Sequence, residues 1–376
     1  MKVGIISMQR VVNYGSFLQA YSLKKNIENL GAEAEFIDYH TEPPIVNAQS
    51  GIKLRNPKEI ISKLLPPYGF KKDKMSRFYR GMWEVEQDYT HKMLPLLNID
   101  EEYHYNTKVD LLVIGSDEVF NCLQTNETVG YSRELFGSNG NYDCLISYAA
   151  SFGNTNKEGL VKYGIYDEVK EMLLKFRSLS ARDKNTYDLL HEMTGGSISK
   201  HVDPVFLYDY STELEQTEVP LDNYIVVYAY DCRIKKEEAR AIRKFACAHN
   251  KKIVCLCGPQ RYLDGYQPLN AFEVLAYFKK ADYVITDTFH GTVFSIKFNK
   301  NFVTFVRGGH GANYGNSEKL YDLLETFGLK SRCVTDLNKM ANILENKPDY
   351  QSVNDKIAME KQRSIEYLKE YVCREG

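Results

Sequence analysis

The hydrophobic pattern of the first forty residues predicts a βαβ unit. Residues 3–8 form an apolar run typical of a buried strand, and residues 34–39 form a second such run. Between them, apolar residues recur every three or four positions, which is the spacing of one helix face. Ser16 is the expected N-cap of this helix and Gly31 its expected stop. The turn before the helix lacks the GxGxxG pattern, so it carries no dinucleotide fingerprint.

The alternation of strands and helices continues and then restarts after a polar segment. Strands are predicted at residues 110–114, 144–150, 178–181, 224–229, 252–257, 283–286 and 302–306. Helices are predicted at residues 160–175, 235–249, 272–279, 292–300 and 357–373, with another beginning near residue 185. Residues 208–222 are polar, contain Pro220 and are interpreted as a linker between two arrays.

We therefore predict an α/β fold in which two Rossmann-like domains face a cleft. The N-terminal domain would span residues 1–210 and the C-terminal domain residues 223–350, with residues 351–376 forming a terminal helix that packs back across the pair. Residues 41–106 interrupt the pattern with proline-punctuated, basic stretches, which predict a helical insertion. It could act as a lid or contact an acceptor, although a solvated charged face is the plainer interpretation.

Composition narrows the class of protein. The chain has 376 residues, of which 43% are hydrophobic and 26% charged, as in an ordinary soluble globular protein. Its net charge of −2 gives no reason to expect nucleic-acid binding. The eight cysteines are scattered without a CxxC pair, which fits a reducing compartment. The N-terminus is interpreted as a strand rather than a signal peptide, and no apolar stretch is long enough to span a membrane, so we predict a cytoplasmic protein.

Polar side chains gather at the predicted strand ends, where open α/β sheets bind ligands. They are Asn13, Gly15, Ser16, Ser116, Asp117, Asn121, Arg182, Asp183, Asp203, Asp287, Thr288, His290, Arg307 and Lys319. An arginine could bind a carboxylate or phosphate, and a histidine could move a proton near neutral pH. Plainer interpretations stay open: Arg182 and Asp183 as a structural ion pair, Asp203 as part of a turn, and His290 as a turn-capping imidazole.

Motifs of other enzyme classes are absent from the sequence. HExxH, CxxC and clustered histidines do not occur, and neither do a Walker loop, a GxSxG elbow or the kinase motifs. We therefore predict no metal and no cofactor.

Six segments resemble, in order, the successive blocks of the polysaccharide pyruvyl transferase family. They are NYGSFLQAYSLKKNIENLG, DLLVIGSDEVFN, SYAASFG, LSARDKNT, HVDPVFLYD and ADYVITDTFHGTVFSIKFNKNF. The resemblance runs from about residue 11 to about residue 327 and includes the late run NSEKL followed by DLLETFGL. The insertion near residues 41–106 and the last 40 residues fall outside it.

This resemblance implies a glycosyltransferase-B-like pair of Rossmann domains and a specific reaction. The enolpyruvyl skeleton of phosphoenolpyruvate would be transferred to two hydroxyls of a sugar, forming a cyclic pyruvate ketal. Phosphoenolpyruvate would be the donor substrate. The acceptor would be a saccharide of a cell-surface polysaccharide or of its precursor. It stays open whether the precursor is lipid-linked and whether the protein lies peripherally at the inner membrane face.

The resemblance also implies residue roles. His290 matches the family's functional histidine, Arg182 matches an arginine expected to contact the donor, and Asp117 with Asn121 match a block expected to face the acceptor. Catalytic roles are therefore predicted for His290, Arg182 and Asp117. Substrate-binding roles are predicted for Asn13, Gly15, Ser16, Ser116, Asn121, Asp287, Thr288, Gly291, Arg307 and Lys319.

One departure from the family pattern concerns the donor. Many members carry Ser-Arg-Leu-His where this chain has Asp287-Thr288-Phe289-His290, so position 288 lacks an arginine. Arg307, Lys297 or Lys319 could supply the charge, or the donor could differ. Two other functions stay open: a glycosyltransferase of the same fold that uses a nucleotide sugar, and a non-catalytic sugar-binding relative.

Overall fold

Two parallel sheets form the framework of the protein. The computed structural model describes residues 1–46, 74–307 and 317–373. The first sheet contains β1 (Lys2–Ile6), β2 (Glu33–Phe36), β3 (Val109–Asp117), β4 (Tyr142–Ala150), β5 (Leu179–Ala181) and β6 (Ile198–Lys200), in the order β2-β1-β3-β4-β5-β6. The second contains β7 (Tyr224–Ala229), β8 (Lys252–Cys257), β9 (Tyr283–Thr286), β10 (Asn301–Phe305) and β11 (Cys333–Val334), in the order β11-β10-β9-β7-β8.

Helices connect and cover these strands. They are α1 (Tyr14–Asn29), α2 (Lys74–Asp88), α3 (Lys157–Lys162), α4 (Tyr166–Leu173), α5 (Lys184–Thr194), α6 (Ser211–Glu215), α7 (Lys236–Ala248), α8 (Ala271–Lys280), α9 (Phe289–Lys297), α10 (Ser317–Thr326), α11 (Met340–Glu345) and α12 (Tyr350–Val372). Shorter helical turns span Tyr89–Met93, Leu94–Leu97, Arg133–Phe136, Pro204–Phe206, Lys330–Arg332 and Leu337–Lys339. None of the helices in the described ranges is long and apolar enough to cross a membrane.

The predicted fold class is confirmed, because the chain is an α/β protein with two parallel sheets. The strands predicted at residues 224–229, 252–257 and 283–286 match the structure at both ends. Strands of the first sheet fall between residues 2 and 200, and those of the second between residues 224 and 334. The domain boundaries themselves stay a prediction.

Two predicted helices begin or run differently in the structure. Helix α1 is capped by Asn13 rather than Ser16, because the Asn13 Oδ1 accepts hydrogen bonds from the backbone N–H groups of Gly15 and Ser16 at 2.8 and 3.2 Å. The helix predicted at residues 160–175 is interrupted between α3 and α4. Gly164 lies there with a φ of +69°, a left-handed conformation that a helix cannot accommodate.

A third difference concerns the histidine segment. Helix α9 begins at Phe289, three residues before the predicted start, so His290 lies in the first helical turn rather than in the preceding loop. The hydroxyl of Thr288 caps this helix by accepting a hydrogen bond from the N–H of Gly291 at 2.9 Å. His290 is therefore not the capping residue.

Segments outside the two arrays pack onto them. The predicted linker includes α6, and the buried hydroxyl of Tyr210 donates to the carbonyl of Leu18 in α1 at 2.7 Å. Helix α12 contacts both sheets. Its Tyr367 hydroxyl donates to the carbonyl of Ser147 in β4 at 2.8 Å, and its Tyr350 hydroxyl donates to the carbonyl of Lys300, just before β10. Part of the predicted insertion, residues 47–73, lies outside the described residues.

Candidate functional site

The functional histidine of the sequence prediction lies where the two sheets meet. The first turn of α9, which follows β9, places the His290 ring against the first turn of α1, which follows β1. A Cβ built on Gly15 would lie 2.0 Å from the His290 Nδ1, so no residue with a side chain fits at position 15 without displacing the ring. The two segments are therefore in direct contact.

Four ionisable side chains form a buried group around this contact, which we call the buried tetrad: Asp117, Arg182, Asp203 and His290. The Arg182 Nη1 donates to the Asp203 Oδ2 at 3.0 Å, and its Nη2 donates to the Asp117 Oδ1 at 3.3 Å. The His290 Nε2 lies 3.5 Å from the same Asp203 Oδ2. The arginine side chain is only 2% exposed, and its guanidinium stacks over the Phe289 ring at 4.4 Å.

The tetrad is electrostatically coupled. Burial disfavours the charged carboxylates, but the charges of Arg182 and His290 outweigh it and hold the pKa of Asp117 below its usual range. The same opposition, with His290 and Arg182 prevailing over burial, lowers the pKa of Asp203. Burial alone would lower the pKa of Arg182, yet the two carboxylates raise it. With two carboxylates and one guanidinium, a protonated His290 brings the charge of the tetrad to zero.

The Nε2 of His290 makes no hydrogen bond to the other members of the tetrad. Its distance to Asp203 is an ion-pair distance, longer than a hydrogen bond between nitrogen and oxygen. Although it is buried, this nitrogen has no hydrogen-bond partner among the described residues. Buried polar atoms are normally paired, and unpaired ones are typical of functional sites. Among the described residues, no group therefore uses the hydrogen-bonding capacity of this nitrogen.

Asp117 is held in place by a short network. Its Oδ2 accepts a hydrogen bond from the Ser16 hydroxyl at 2.6 Å, and its Oδ1 accepts one from the N–H of Glu118 at 3.0 Å. The φ of Asp117 is +80°, in the left-handed region that residues other than glycine rarely adopt. Such a conformation persists where the surroundings fix it, and it is commonest at functional sites. Ser16 thus acts on the site through Asp117.

Two other predicted binding residues of this block bond to the protein instead. The Ser116 hydroxyl donates to the carbonyl of Ala149 at 2.7 Å, within the first sheet. The Asn121 amide donates to Glu118 at 2.8 Å, and its oxygen accepts from the Thr155 hydroxyl at 2.9 Å. Both side chains are buried and fix the loop after β3. A substrate-binding role for either stays a prediction.

The predicted ion pair of Arg182 with its neighbour in sequence is wrong. Asp183 caps α5, accepting hydrogen bonds from the N–H and hydroxyl of Thr186 at 2.9 and 2.8 Å and one from the Ser151 hydroxyl. Arg182 instead pairs with Asp117 and Asp203, which come from other strand ends. The turn at Asp203 does exist, since its Oδ1 accepts from the N–H of Val205 at 3.0 Å. The other carboxylate oxygen of Asp203, Oδ2, contacts Arg182 and His290 in the tetrad.

A second group of charged residues lies at the strand ends of the second sheet, and we call it the second-sheet cluster: Arg233, Glu238, Asp287 and Arg307. The Asp287 Oδ2 lies 2.9 Å from the Arg233 Nε and 3.2 Å from the Arg307 Nε. Arg307 also donates from both Nη atoms to the Glu238 carboxylate and from Nη2 to the carbonyl of Arg233. Burial, outweighing the two arginines, raises the pKa of Asp287.

The two lysines predicted as substitutes for an arginine at position 288 occupy different places. Lys319 pairs with Glu118 and lies 5.8 Å from the centre of the Phe289 ring, beside the tetrad. Lys297 is at the other end of α9, where its Nζ donates to the carbonyl of Tyr208 at 2.6 Å. Burial there lowers the pKa of Lys297 to about 8. Lys297 is therefore not part of the site.

The residues that cap and pack α9 set the position of His290. Thr288 uses its hydroxyl as the helix cap, and Gly291 has no room for a side chain, because a Cβ there would lie 2.2 Å from the Thr286 Oγ1. The Thr288 hydroxyl is thus already bonded within the protein, and Gly291 has no side chain that could contact a ligand.

A cavity of about 240 Å³ adjoins the tetrad. Arg182, Asp203 and Phe289 line it, together with Lys319 and other residues of α10 and with residues of α12. Through this cavity, Arg182 and Asp203 have an open side in addition to their buried contacts.

Sequence reasoning missed two residues of the site. Tyr230 and Arg233 follow β7, and the hydroxyl of Tyr230 accepts a hydrogen bond from the Asn13 amide at 3.3 Å across the cleft. The guanidinium of Arg233 lies 5.5 Å from the centre of the Tyr230 ring. The signal was present, because the rule that ligands bind at strand ends applies to β7 as it does to β9.

Comparison with known families decides what the chain is. The family model for polysaccharide pyruvyl transferase matches residues 13–309, well over half of the chain. The chain belongs to this family. It is a transferase, and the matched range includes Asn13, the whole tetrad and Arg307. Lys319 and α10 lie beyond the matched range, so the resemblance predicted up to residue 327 extends further than the family model does.

Solved structures resemble this pyruvyl transferase family member over nearly its full length. The Methanocaldococcus jannaschii UDP-GlcNAc 2-epimerase is 12% identical with a TM-score of 0.46, covering 96% of this chain and 99% of the epimerase. An α,α-trehalose 6-phosphate synthase from Burkholderia multivorans is 10% identical with a TM-score of 0.44, covering 99% and 94%. A glycosyltransferase from Rickettsia africae is 11% identical with a TM-score of 0.44, covering 100% and 99%. No curated protein matches the chain.

Proposed function

We propose that this protein transfers pyruvyl from phosphoenolpyruvate to a saccharide and forms a cyclic pyruvate ketal. Membership of the family supports the reaction class. The observation that carries the proposal is the His290 Nε2, which is buried, unpaired among the described residues and 3.5 Å from the Asp203 carboxylate. This is the arrangement that a proton-transfer group requires.

The reaction requires two proton transfers. One sugar hydroxyl adds to C2 of the enolpyruvyl group while C3 takes up a proton and becomes a methyl group. The second hydroxyl then displaces phosphate from C2, and its proton leaves with the phosphate. His290 is the proposed acid that protonates C3 and the base that relays a hydroxyl proton, because its ring combines an open nitrogen with a neighbouring carboxylate.

The other members of the tetrad prepare His290 for this role. Asp203 stabilises the imidazolium that forms when the ring takes up a proton, and Arg182 keeps Asp203 and Asp117 ionised. Arg182 and Lys319 line the neighbouring cavity, and their charges would draw an anionic donor towards the cleft. Asp117, held by Ser16, is proposed to face the acceptor side, as the family resemblance implies.

The acceptor is proposed to be a sugar of a cell-surface polysaccharide or of its precursor. A lipid-linked precursor would place the protein at the inner face of the membrane during the reaction. The donor substrate in this proposal is phosphoenolpyruvate, without a cofactor.

The test is an assay of phosphate release by the purified protein. With phosphoenolpyruvate and a mixture of saccharide acceptors, we expect phosphate release that depends on the acceptor and a product that carries the added ketal in its mass spectrum. A parallel reaction with nucleotide sugars is the control. Release of nucleoside diphosphate there, with no phosphate from phosphoenolpyruvate, would overturn the proposal in favour of a glycosyltransferase.

Binding can be checked before the acceptor is known. A ligand present at about 100 times its dissociation constant adds roughly 2.7 kcal/mol to the free energy of unfolding. Phosphoenolpyruvate should therefore raise the melting temperature of the wild-type protein. A protein stabilised by a nucleotide sugar and not by phosphoenolpyruvate would contradict the proposed donor.

A further inference from the structure

We infer that Arg233 holds the anionic part of the donor, with the two Nη atoms of its guanidinium as the contacting donors. The inference rests on the proposed function for the identity of the donor. It assigns a site to the charge that position 288 does not supply, and this site lies in the second-sheet cluster.

The guanidinium of Arg233 is anchored on one side only. Its Nε lies 2.9 Å from the Asp287 Oδ2, and Asp287 is fully buried. The side chain of Arg233 is 22% exposed, and among the described residues neither of its Nη atoms makes a hydrogen bond. The buried carboxylate therefore fixes the orientation of the group while its Nη atoms stay available.

The other cations near the site are committed to carboxylates. Arg182 places one Nη on Asp117 and the other on Asp203. Arg307 places both Nη atoms on Glu238. Lys319 pairs with Glu118. A new anion would compete with an existing carboxylate at each of these positions, whereas at Arg233 it would meet unbonded donors.

The surroundings of Arg233 place it on the cleft. It stacks on Tyr230, whose hydroxyl accepts the hydrogen bond of Asn13 from the first sheet. Asn13 caps the same helix turn whose Gly15 touches the His290 ring. Arg233 thus lies on the wall that faces the α1 turn, and Asp287, its anchor, precedes His290 by three residues.

A planar guanidinium with two open donors suits a carboxylate or a phosphate group, which it binds through two parallel hydrogen bonds. Phosphoenolpyruvate carries both groups. Because the fork and its geometry matter as much as the charge, a lysine at this position would keep the charge and lose the paired hydrogen bonds.

The experiment compares calorimetric binding by wild type, Arg233→Ala, Arg233→Lys and the control Arg240→Ala, an exposed arginine on α7. The probes are phosphoenolpyruvate, inorganic phosphate and pyruvate. We expect Arg233→Ala to lose about ten- to hundredfold in affinity for phosphoenolpyruvate, which is the range for hydrogen bonds to a charged group. Arg233→Lys should fall between Ala and wild type, and Arg240→Ala should bind as wild type does.

The two small probes identify the group that Arg233 contacts. A loss confined to phosphate assigns the phosphate end of the donor, and a loss confined to pyruvate assigns its carboxylate; either supports the inference. An Arg233→Ala protein that is folded and binds all three probes as tightly as wild type overturns it. If Arg233→Ala does not fold because Asp287 loses one of its two arginine partners, the Lys variant decides by the same criterion.

Failure of the proposed function gives a different result. If wild type binds uridine diphosphate and not phosphoenolpyruvate, the proposed donor is wrong, and the same variants are then compared with uridine diphosphate as the probe. A loss in Arg233→Ala would still support an anion site at Arg233. In the steady state, the variant should raise the KM for the donor and change kcat little, because the proton chemistry is proposed for His290.

Discussion

The buried tetrad and the second-sheet cluster contain similar residues, but they differ in which polar atoms lack a hydrogen-bond partner among the described residues. The tetrad has two carboxylates for one arginine, and its unpaired atoms among the described residues are the His290 Nε2 and the Arg182 Nε. The second-sheet cluster has two carboxylates for two arginines, and its available atoms are the Nη donors of Arg233. An excess of negative charge beside a histidine suits proton transfer, whereas open guanidinium donors suit anion binding. We therefore propose that two different groups of charged residues perform the two tasks of a transferase.

The largest expected effect comes from removing the imidazole of the tetrad. His290→Ala should lower turnover by roughly a hundred- to ten-thousandfold, the usual cost of losing a general acid or base, while phosphoenolpyruvate still binds. His290→Gln, which keeps a hydrogen-bond donor, should be nearly as inactive. Acceptor-dependent phosphate release and calorimetry measure the two quantities separately. Near-normal turnover of the glutamine variant would mean that His290 positions the substrate.

Removing one arginine from each group should give a large loss of stability in the tetrad and a smaller one in the second-sheet cluster. Arg182→Ala leaves Asp117 and Asp203 buried without their cation, which should cost about 3–5 kcal/mol of the free energy of unfolding. Arg307→Ala should cost less, because Asp287 keeps Arg233 and the side chain is 13% exposed. Urea denaturation of both variants measures the difference. Equal costs would contradict the idea that the tetrad depends on a single arginine.

A second histidine beside the tetrad gives a pH-dependent test. His201 contacts the rings of Tyr148 and Tyr367, and burial, with a smaller contribution from Arg363, lowers its pKa to about 4. The unfolded chain takes up a proton near pH 6.5, whereas the folded protein does so only near pH 4. Stability should therefore fall by about 3 kcal/mol as the pH drops from 6.5 to 4.

As the pH falls, this loss of stability comes before the loss that is due to the tetrad carboxylates. The pKa values of Asp117 and Asp203 are depressed in the folded protein, so their contribution is lost only as the pH falls below the ordinary carboxylate range near 4. His201→Gln should flatten the stability profile between pH 6.5 and 4, and His91→Gln, at an exposed position, should not. An unchanged slope in His201→Gln would refute the assignment.

The smallest effects concern the two helix caps that bring Gly15 and His290 together. Asn13→Ala and Thr288→Ala each remove one side-chain acceptor at a helix start, which should cost about 1 kcal/mol. Denaturation midpoints measure these costs. Because each cap holds one side of the same contact, the double variant should depart from additivity. Strict additivity would show that the two helix starts are energetically independent.

Most strands were predictable because continuous apolar runs mark buried parallel strands whatever surrounds them. The short strands β6 and β11 were not predicted, because two or three residues form no such run. The helix starts were less predictable. Asn13 and Ser16 are both good caps, and only the backbone shows which one precedes the first turn. At α9 the apolar pattern begins after the true start, so His290 was assigned to a loop.

The topology predicted from the sequence was enough to expect that strand-end residues gather at one place. It was not enough to predict which of them form ion pairs with one another. The nearest acid to Arg182 in sequence is Asp183, which caps a helix, while its real partners come from the ends of β3 and β6. The order of strands in the sheet brings these together, and one sequence does not display that order. The direction of side chains such as Ser116 depends on backbone angles in the same way.

The two tyrosines of α12 have a consequence for how the protein unfolds. Tyr350 bonds beside β10 and Tyr367 bonds to β4, so one helix spans both sheets and neither can lose its structure without releasing an end of it. Such a brace couples the two halves into one cooperative transition. Cutting the chain before Tyr350 should then turn a single thermal transition into two, with the cleft between the halves no longer held at a fixed width.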